Sequence, residues 1–259
     1  TPIGQRVIDL ARQVVAGAEQ LRKEVGLLSG ATIGTLSIGV GPAMSETFVS
    51  ALIGEFAERY PDLFINVRID NWTQLAEWLH HGELDLYVAD VAAAVRDARV
   101  STIAMPSERI VWFCRAGHPL AKRRKVIAAD ILSFPIASPK PPPWGQVWLA
   151  EASGTPDDVQ RRFHTVQCET YSMLKQIVRS SDCVSVSLES SIAHEIESGV
   201  LAALNVAGMN LKTSAGIIFR KDRILPPAAE KFIDMLQERA RSQPADPPRR
   251  TTARSRRRR

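Results

Sequence analysis

Residues 35–89 read TLSIGVGPAMSETFVSALIGEFAERYPDLFINVRIDNWTQLAEWLHHGELDLYVA, and the spacing of apolar residues in that stretch decides the fold. Segments 35–40, 64–70 and 84–89 are short apolar runs of strand length. Segments 44–59 and 73–81, which separate them, place apolar residues three and four apart, as an amphipathic helix requires. Tyr60-Pro61 stops the first helix because proline cannot continue the hydrogen-bond ladder, and Gly82 stands where a helix C-terminus favours glycine. A βαβαβ unit follows. Its continuous apolar strands imply a parallel sheet covered by helices on both faces.

Working outward, 90–107 has weak periodicity. A second series then begins with a strand at 110–114 and runs through helix 146–152, strand 165–168, helix 172–179, strand 184–187 and helix 190–197. The strand 215–220 and helix 227–239 read as a return of the chain to the first unit. The expected fold class is α/β, with two βαβ lobes joined by two crossovers near 100–108 and 204–214. Lobe I is assigned 30–103 and 208–241, and lobe II 104–207.

Ahead of the lobes, Val7, Val14, Leu21 and Leu28 recur every seven residues, with Ile3 and Leu10 in the partner position. This seam predicts a linker and dimerisation helix over 1–28, carried by Val7, Leu10, Val14, Leu21 and Leu28. Gly17 and Glu24 interrupt the partner position, so a long regular zipper is not expected. The chain opens at Thr1 directly into this helix, which suggests natural sequence upstream.

With 259 residues, 45% hydrophobic and 24% charged, the composition is that of a soluble globular protein. No apolar run reaches the roughly 18 residues of a membrane span and no export signal is evident, so a cytoplasmic location is expected. The formal charge of +5 includes seven arginines in the tail 249–259, which leaves −2 on the rest. The Pro- and Arg-rich segment 242–259 is expected to be a disordered tail, with nonspecific phosphate contact by its arginines as the other reading. Cys114, Cys168 and Cys183 lack CxxC spacing and read as buried reduced thiols.

Six segments carry a family resemblance: GTLSIGV (34–40), FAERYP (56–61), LHHGELDL (79–86), GHPLA (117–121), ADILSFP (129–135) and PAAEKFIDML (227–236). In this order and spacing the chain resembles the LysR-type transcription regulators up to about residue 240. The resemblance implies a bilobal, periplasmic-binding-protein-like fold and a small-molecule effector held between the lobes. It implies homodimers or homotetramers paired through the linker helix, and promoter DNA bound by an N-terminal winged helix-turn-helix absent from these residues. Pro141-Pro142-Pro143 with Trp144, and the arginine tail, depart from the family pattern.

In open α/β lobes ligands sit beyond the carboxyl ends of the strands. That rule selects Gly41, Ala43, Met44 and Asn71 from lobe I, and Ser138, Pro139 and Ser187 from lobe II, as the effector-binding set. Gly41 would let a ligand approach closely, Ser45 would cap a helix or hold an anion, and Ala43 and Ser187 are placed at loop edges. Trp72 and Trp144 read either as local packing or as stacking surfaces for the effector. His80, His81 and His118 read as surface or packing histidines, and Asp85 as a structural hydrogen-bond acceptor. No catalytic residue, metal ligand or cofactor is assigned: no nucleophile and base are brought together, and no dinucleotide fingerprint is present. A free-standing solute-binding protein of the same architecture is the alternative, though it would have no use for a heptad helix.

Overall fold

The computed structural model describes residues 34–153 and 165–242, with 1–8, 10–11, 14–15 and 17–18 near the N-terminus. Strand β1 (Gly34–Val40) is followed by a 3₁₀ turn (Met44–Glu46) and helix α1 (Phe48–Arg59). Strand β2 (Leu63–Ile69), helix α2 (Trp72–His81) and strand β3 (Leu86–Asp90) complete the βαβαβ unit. The sequence predicts one helix over 44–59, but the chain breaks at Thr47, whose extended backbone and side-chain oxygen cap α1 at Val49 N. Ser45 is therefore not the cap; its hydroxyl donates to Pro42 O at 2.7 Å. Helix α2 begins where Asn71 Oδ1 accepts from Thr73 N (3.1 Å) and Gln74 N (3.3 Å), and ends at Gly82, whose φ of 77° suits glycine.

The first sheet has strand order β2-β1-β3-β10-β4, where β4 is Val100–Ala104 and β10 is Ala215–Arg220. Strand β1 pairs in parallel with β2 and β3, whereas β10 runs antiparallel to both β3 and β4. The sheet is thus mixed, because the returning strand enters from the second lobe in the opposite direction. Strand β4 falls in the segment of weak periodicity: VSTIA is half-buried on an edge and lacks a clean alternation.

The period-two rule places alternate residues on opposite faces. Leu36, Ile38, Val40, Leu86, Val88 and Ile217 pack on one face against Val49, Leu52 and Phe56 of α1 and Phe232 and Leu236 of the last helix, α7 (Pro227–Ser242). The chain's end thereby closes lobe I. Tyr87, Ala89 and Ile218 face the other way, against Leu75 and Leu79 of α2. Asp85 is structural: Oδ2 accepts from Ser37 N (2.8 Å) while Asp85 N donates to Ser37 O (2.9 Å).

Lobe II contains β5 (Ile110–Arg115), α3 (Ala128–Leu132), β6 (Ala137–Ser138), α4 (Pro143–Ser153), β7 (Val166–Gln167), α5 (Tyr171–Ser180), β8 (Ser185–Leu188), α6 (Ala193–Glu197) and β9 (Leu201–Leu204). Strand β5 is antiparallel to β8 and β9, β6 is parallel to β7, and an Ile136–Val184 bridge joins the two groups in parallel. The resulting order β7-β6-β8-β5-β9 repeats the directions of lobe I strand for strand. In each lobe the antiparallel strand next to the edge is the one the chain supplies after crossing over. The proline run ends by seeding α4, with Pro143 as its first residue and Pro142 O accepting from Gln146 N at 3.1 Å.

Two segments connect the sheets and pair with each other. Thr213 N donates to Glu108 O (2.8 Å), Ile110 N to Leu211 O (3.0 Å) and Met105 N to Ala215 O (2.9 Å). Near the N-terminus the helical residues Val7, Leu10 and Val14 are exposed, at 58%, 50% and 73%, leaving an apolar stripe uncovered by the chain's own body. Leu21, Leu28 and the arginine tail lie outside the described residues.

His118 is fully buried and neutral by construction: Nδ1 accepts from Leu120 N (3.0 Å), Nε2 donates to Asp182 O (3.2 Å), and Phe134 lies edge-on at 4.4 Å. Burial holds its pKa below the ordinary histidine value. The unfolded chain takes up a proton near pH 6.5 that the folded ring refuses until lower pH, so stability falls as pH drops below about 6.5. Thermal melts at pH 7.5 and 5.5 should show that loss, at most about 1.4 kcal/mol per pH unit, and His118→Asn should flatten it. His80, held down by burial and by Arg99, has the same sign and stays in both proteins. Parallel pH profiles for the two proteins would refute the assignment.

Candidate functional site

The ends of β1, β3 and β6 and the body of β8 converge on a cleft between the lobes, part of it open to solvent. Gly41, Ala43, Met44, Asn71, Ser138, Pro139 and Ser187 all line it. Their individual settings differ from the sequence expectation. A Cβ on Gly41 would sit 3.2 Å from Ala89 Cβ, a tight contact, so the missing side chain also serves packing against β3. Met44 is 5% exposed, with most of its side chain in the lobe I core. Ser187 is not on a loop edge; it lies inside β8, 3% exposed, with its hydroxyl 2.6 Å from Ser191 Oγ. Ala43 is half-buried and touches apolar residues of both lobes.

Further residues complete the wall. Trp112 of β5 and Trp148 of α4 stand 5.5 Å apart, ring centre to ring centre, and both line the cleft. Trp72 lines it at the N-terminus of α2, beneath Lys140 Nζ at 5.9 Å from the ring centre. Met209, Leu211 and Thr213 come from the second crossover and Tyr171 from α5. Tyr171 is buried, donates to Val186 O (2.6 Å), and burial pushes its phenol well above the usual range. The sequence marked none of these except Trp72. Trp112 sits mid-strand and reads as core, and the crossover has no period to read.

Among the described residues, two polar side-chain links join the lobes. Lys140 Nζ donates to Thr73 Oγ1 at 3.0 Å, tying the β6 loop to α2. Lys175 Nζ of α5 pairs with Glu46 Oε2 of lobe I (3.0 Å) and with Glu195 Oε1 (2.9 Å). Burial opposes the Lys175 charge, but the two carboxylates outweigh it and hold the ammonium above its ordinary range. Lys175→Met would leave Glu46 and Glu195 facing each other without their cation. Because the carboxylates keep some solvent, the expected loss in a denaturant melt is about 2 kcal/mol, below the 3–5 of a fully buried pair. A loss under about 0.5 kcal/mol would show that the triad does not hold the lobes together.

Among the described residues no three of His, Cys, Asp and Glu gather as a metal site, and no helix is long and apolar enough to cross a membrane. Cys114 and Cys183 are buried; burial pushes the Cys114 thiol up to about 11. Cys168 departs from the expectation, being only half-buried, with Sγ accepting from Thr170 N at 3.4 Å.

A family model described as LysR substrate binding domain matches residues 29–241. The chain belongs to the LysR family. Among its relatives, the SDS degradation transcriptional activation protein of a Pseudomonas species is 33% identical over 250 residues, 95% of this chain and 80% of that protein. The HTH-type transcriptional activator CmpR of Synechocystis is 27% identical over 244 residues, 91% of this chain and 76% of that protein. The Synechocystis CcmR regulatory domain, solved in complex with 2-PG, superposes with a TM-score of 0.63 at 20% identity, covering 82% of this chain and all of that one. HinK, a LysR family regulator from Pseudomonas aeruginosa, gives 0.60 at 21%, covering 93% and 81%. The chain is thus homologous to the effector-binding regulatory domains of transcription regulators, its relatives are not enzymes, and its fold is the bilobal periplasmic-binding-protein-like one.

Proposed function

We propose that this LysR regulatory portion holds its small-molecule effector in the inter-lobe cleft, against Gly41, Ala43, Met44, Asn71, Ser138, Pro139 and Ser187, and that occupancy biases how the lobes and paired subunits are arranged. The observation that supports this reading is the cleft itself: walls from both lobes meet around one apolar space. A ligand touching both walls favours one arrangement only by binding it better than the other, and 1–3 kcal/mol is a typical coupling. The signal would pass through the N-terminal helix to a winged helix-turn-helix upstream of these residues, which contacts promoter DNA in the cytoplasm.

Screening metabolites by thermal shift tests the proposal, since a ligand at 100 times its dissociation constant stabilises by about 2.7 kcal/mol. A full screen without a single stabilising compound would count against it. Self-association is the second component. The exposed stripe of Val7, Leu10 and Val14 needs an apolar partner, and a second copy supplies one by symmetry. Light scattering should give a dimer or larger, and Val7→Asp with Val14→Asp should weaken it at least tenfold. A wild-type monomer at high concentration would overturn this part.

A further inference from the structure

Resting on the reading of the cleft as the effector site, we infer the chemistry of its ligand: an aliphatic body ended by a single anionic headgroup, a carboxylate or a sulfate. The lining is unevenly divided. Met44, Trp112, Trp148, Val186, Met209 and Leu211 offer carbon and sulfur surface over most of the cleft. The polar groups among them are largely committed to the chain. Ser138 Oγ donates to Pro139 O (3.1 Å), Ser187 Oγ pairs with Ser191 Oγ, Tyr171 donates to Val186 O, and Asn71 Oδ1 is spent on the α2 cap. Asp90 Oδ1 accepts from Ala92 N at 2.9 Å. A sugar or polyamide would be stripped of water there and find few partners, which is costly for each group left unpaired.

Lys140 is the exception. Its ammonium has three donors, contacts Thr73 Oγ1, and forms no ion pair among the described residues. Beside it, Trp72 lines the cleft with its Nε1–H buried and without an acceptor among the described residues. The Lys140 ammonium can hold a headgroup oxygen, and the Trp72 N–H is a second donor at the same end of the cleft. The surroundings disfavour a higher charge: Glu169 lies close, with Oε1 accepting from Lys140 N (3.1 Å); burial and Asp70 push its carboxyl up, while the Lys140 charge acts on it in the opposite direction. A phosphate dianion would set two charges against both carboxylates, whereas a monoanion sets one, facing the Lys140 ammonium.

Calorimetric titration of the chain with hexanoate, octanoate, decanoate, decyl sulfate, decanol and citrate, each kept below its micelle concentration, tests this. Affinity should rise about fourfold per methylene from hexanoate to decanoate. Decanoate should bind about tenfold more tightly than decanol; Lys140→Met should erase that advantage and Lys140→Arg should keep it. Equal binding of decanoate and decyl sulfate supports the shared chemistry, and a preference for one fixes the headgroup. No dependence on chain length, citrate as the tighter ligand, no binding of any amphiphile, or decanoate affinity unchanged in Lys140→Met would overturn the inference. An Ala43→Trp arm separates the two readings. If citrate binds and Ala43→Trp abolishes it, the cleft stands and the ligand class falls; if decanoate binds equally to Ala43→Trp, the cleft falls as well.

Discussion

Phe232→Ala should cost about 3–5 kcal/mol, the range for emptying a phenylalanine site in a packed core. Phe232 is fully buried on the last helix and meets Phe56 of α1 edge-on, with ring centres 5.2 Å apart. The pair joins residues far apart in sequence, on the two passages of the chain through lobe I. Against a typical total stability of 5–15 kcal/mol, such a loss brings the lobe close to unfolding. Urea melts of the variant and of Phe64→Ala give the contrast, because Phe64 on the edge strand β2 is 67% exposed and its truncation should cost a few tenths. Similar losses for both would mean that α7 does not close the lobe.

Ala43→Trp should weaken effector binding by at least a hundredfold while the fold survives. The position is half-buried at the cleft wall, just before the 3₁₀ turn that leads to α1, and its methyl lies between apolar residues of both lobes. An indole there occupies the space a ligand would fill and has the cleft itself to expand into. Ser187 looks equivalent from the sequence but is a poor site for this test. It is buried within β8 and bonded to Ser191, so a bulky residue would break the strand before it blocked anything. A melting temperature for Ala43→Trp within a few degrees of wild type, with binding lost, is the expected pair of results. Unchanged affinity would place the effector elsewhere.

The difference between Ala43 and Ser187 shows how far sequence reaches in this protein. Lobe I was legible because its strands and helices alternate in period over fifty-five residues, and because Tyr60-Pro61 and Gly82 punctuate the helices where the structure ends them. The last strand, Ala215–Arg220, begins and ends where its apolar run does. Strands β4 and β9 escaped notice since both are short, edge-placed and only partly buried, so neither has a pattern of its own. Direction also escaped: apolar runs such as 110–114 and 215–220 say strand, but only the crossing of the chain makes them antiparallel.

At the site, the rule that ligands gather beyond strand ends located seven lining residues, while the physical reason for several was different. Gly41 also packs closely on Ala89, and Asn71 also caps α2. The aromatic wall was invisible for a related reason. Trp112 is inside β5, and its approach to Trp148 depends on how α4 leaves the proline run, a tertiary fact that no local spacing encodes. Lys140 gave no signal either, since a lysine after Ser138-Pro139 reads as an ordinary loop charge until the lobe I helix is placed beneath it.

In the proposed mode of binding one small molecule touches both lobes at once. Hydrogen exchange measured with and without the first compound that stabilises the chain tests it most directly. Added protection is expected in three places together: around 41–44, around 71–75 at the start of α2, and around 138–140 with 186–188 across the cleft. Protection confined to a single lobe, or to the outer helices α1 and α7, would contradict it.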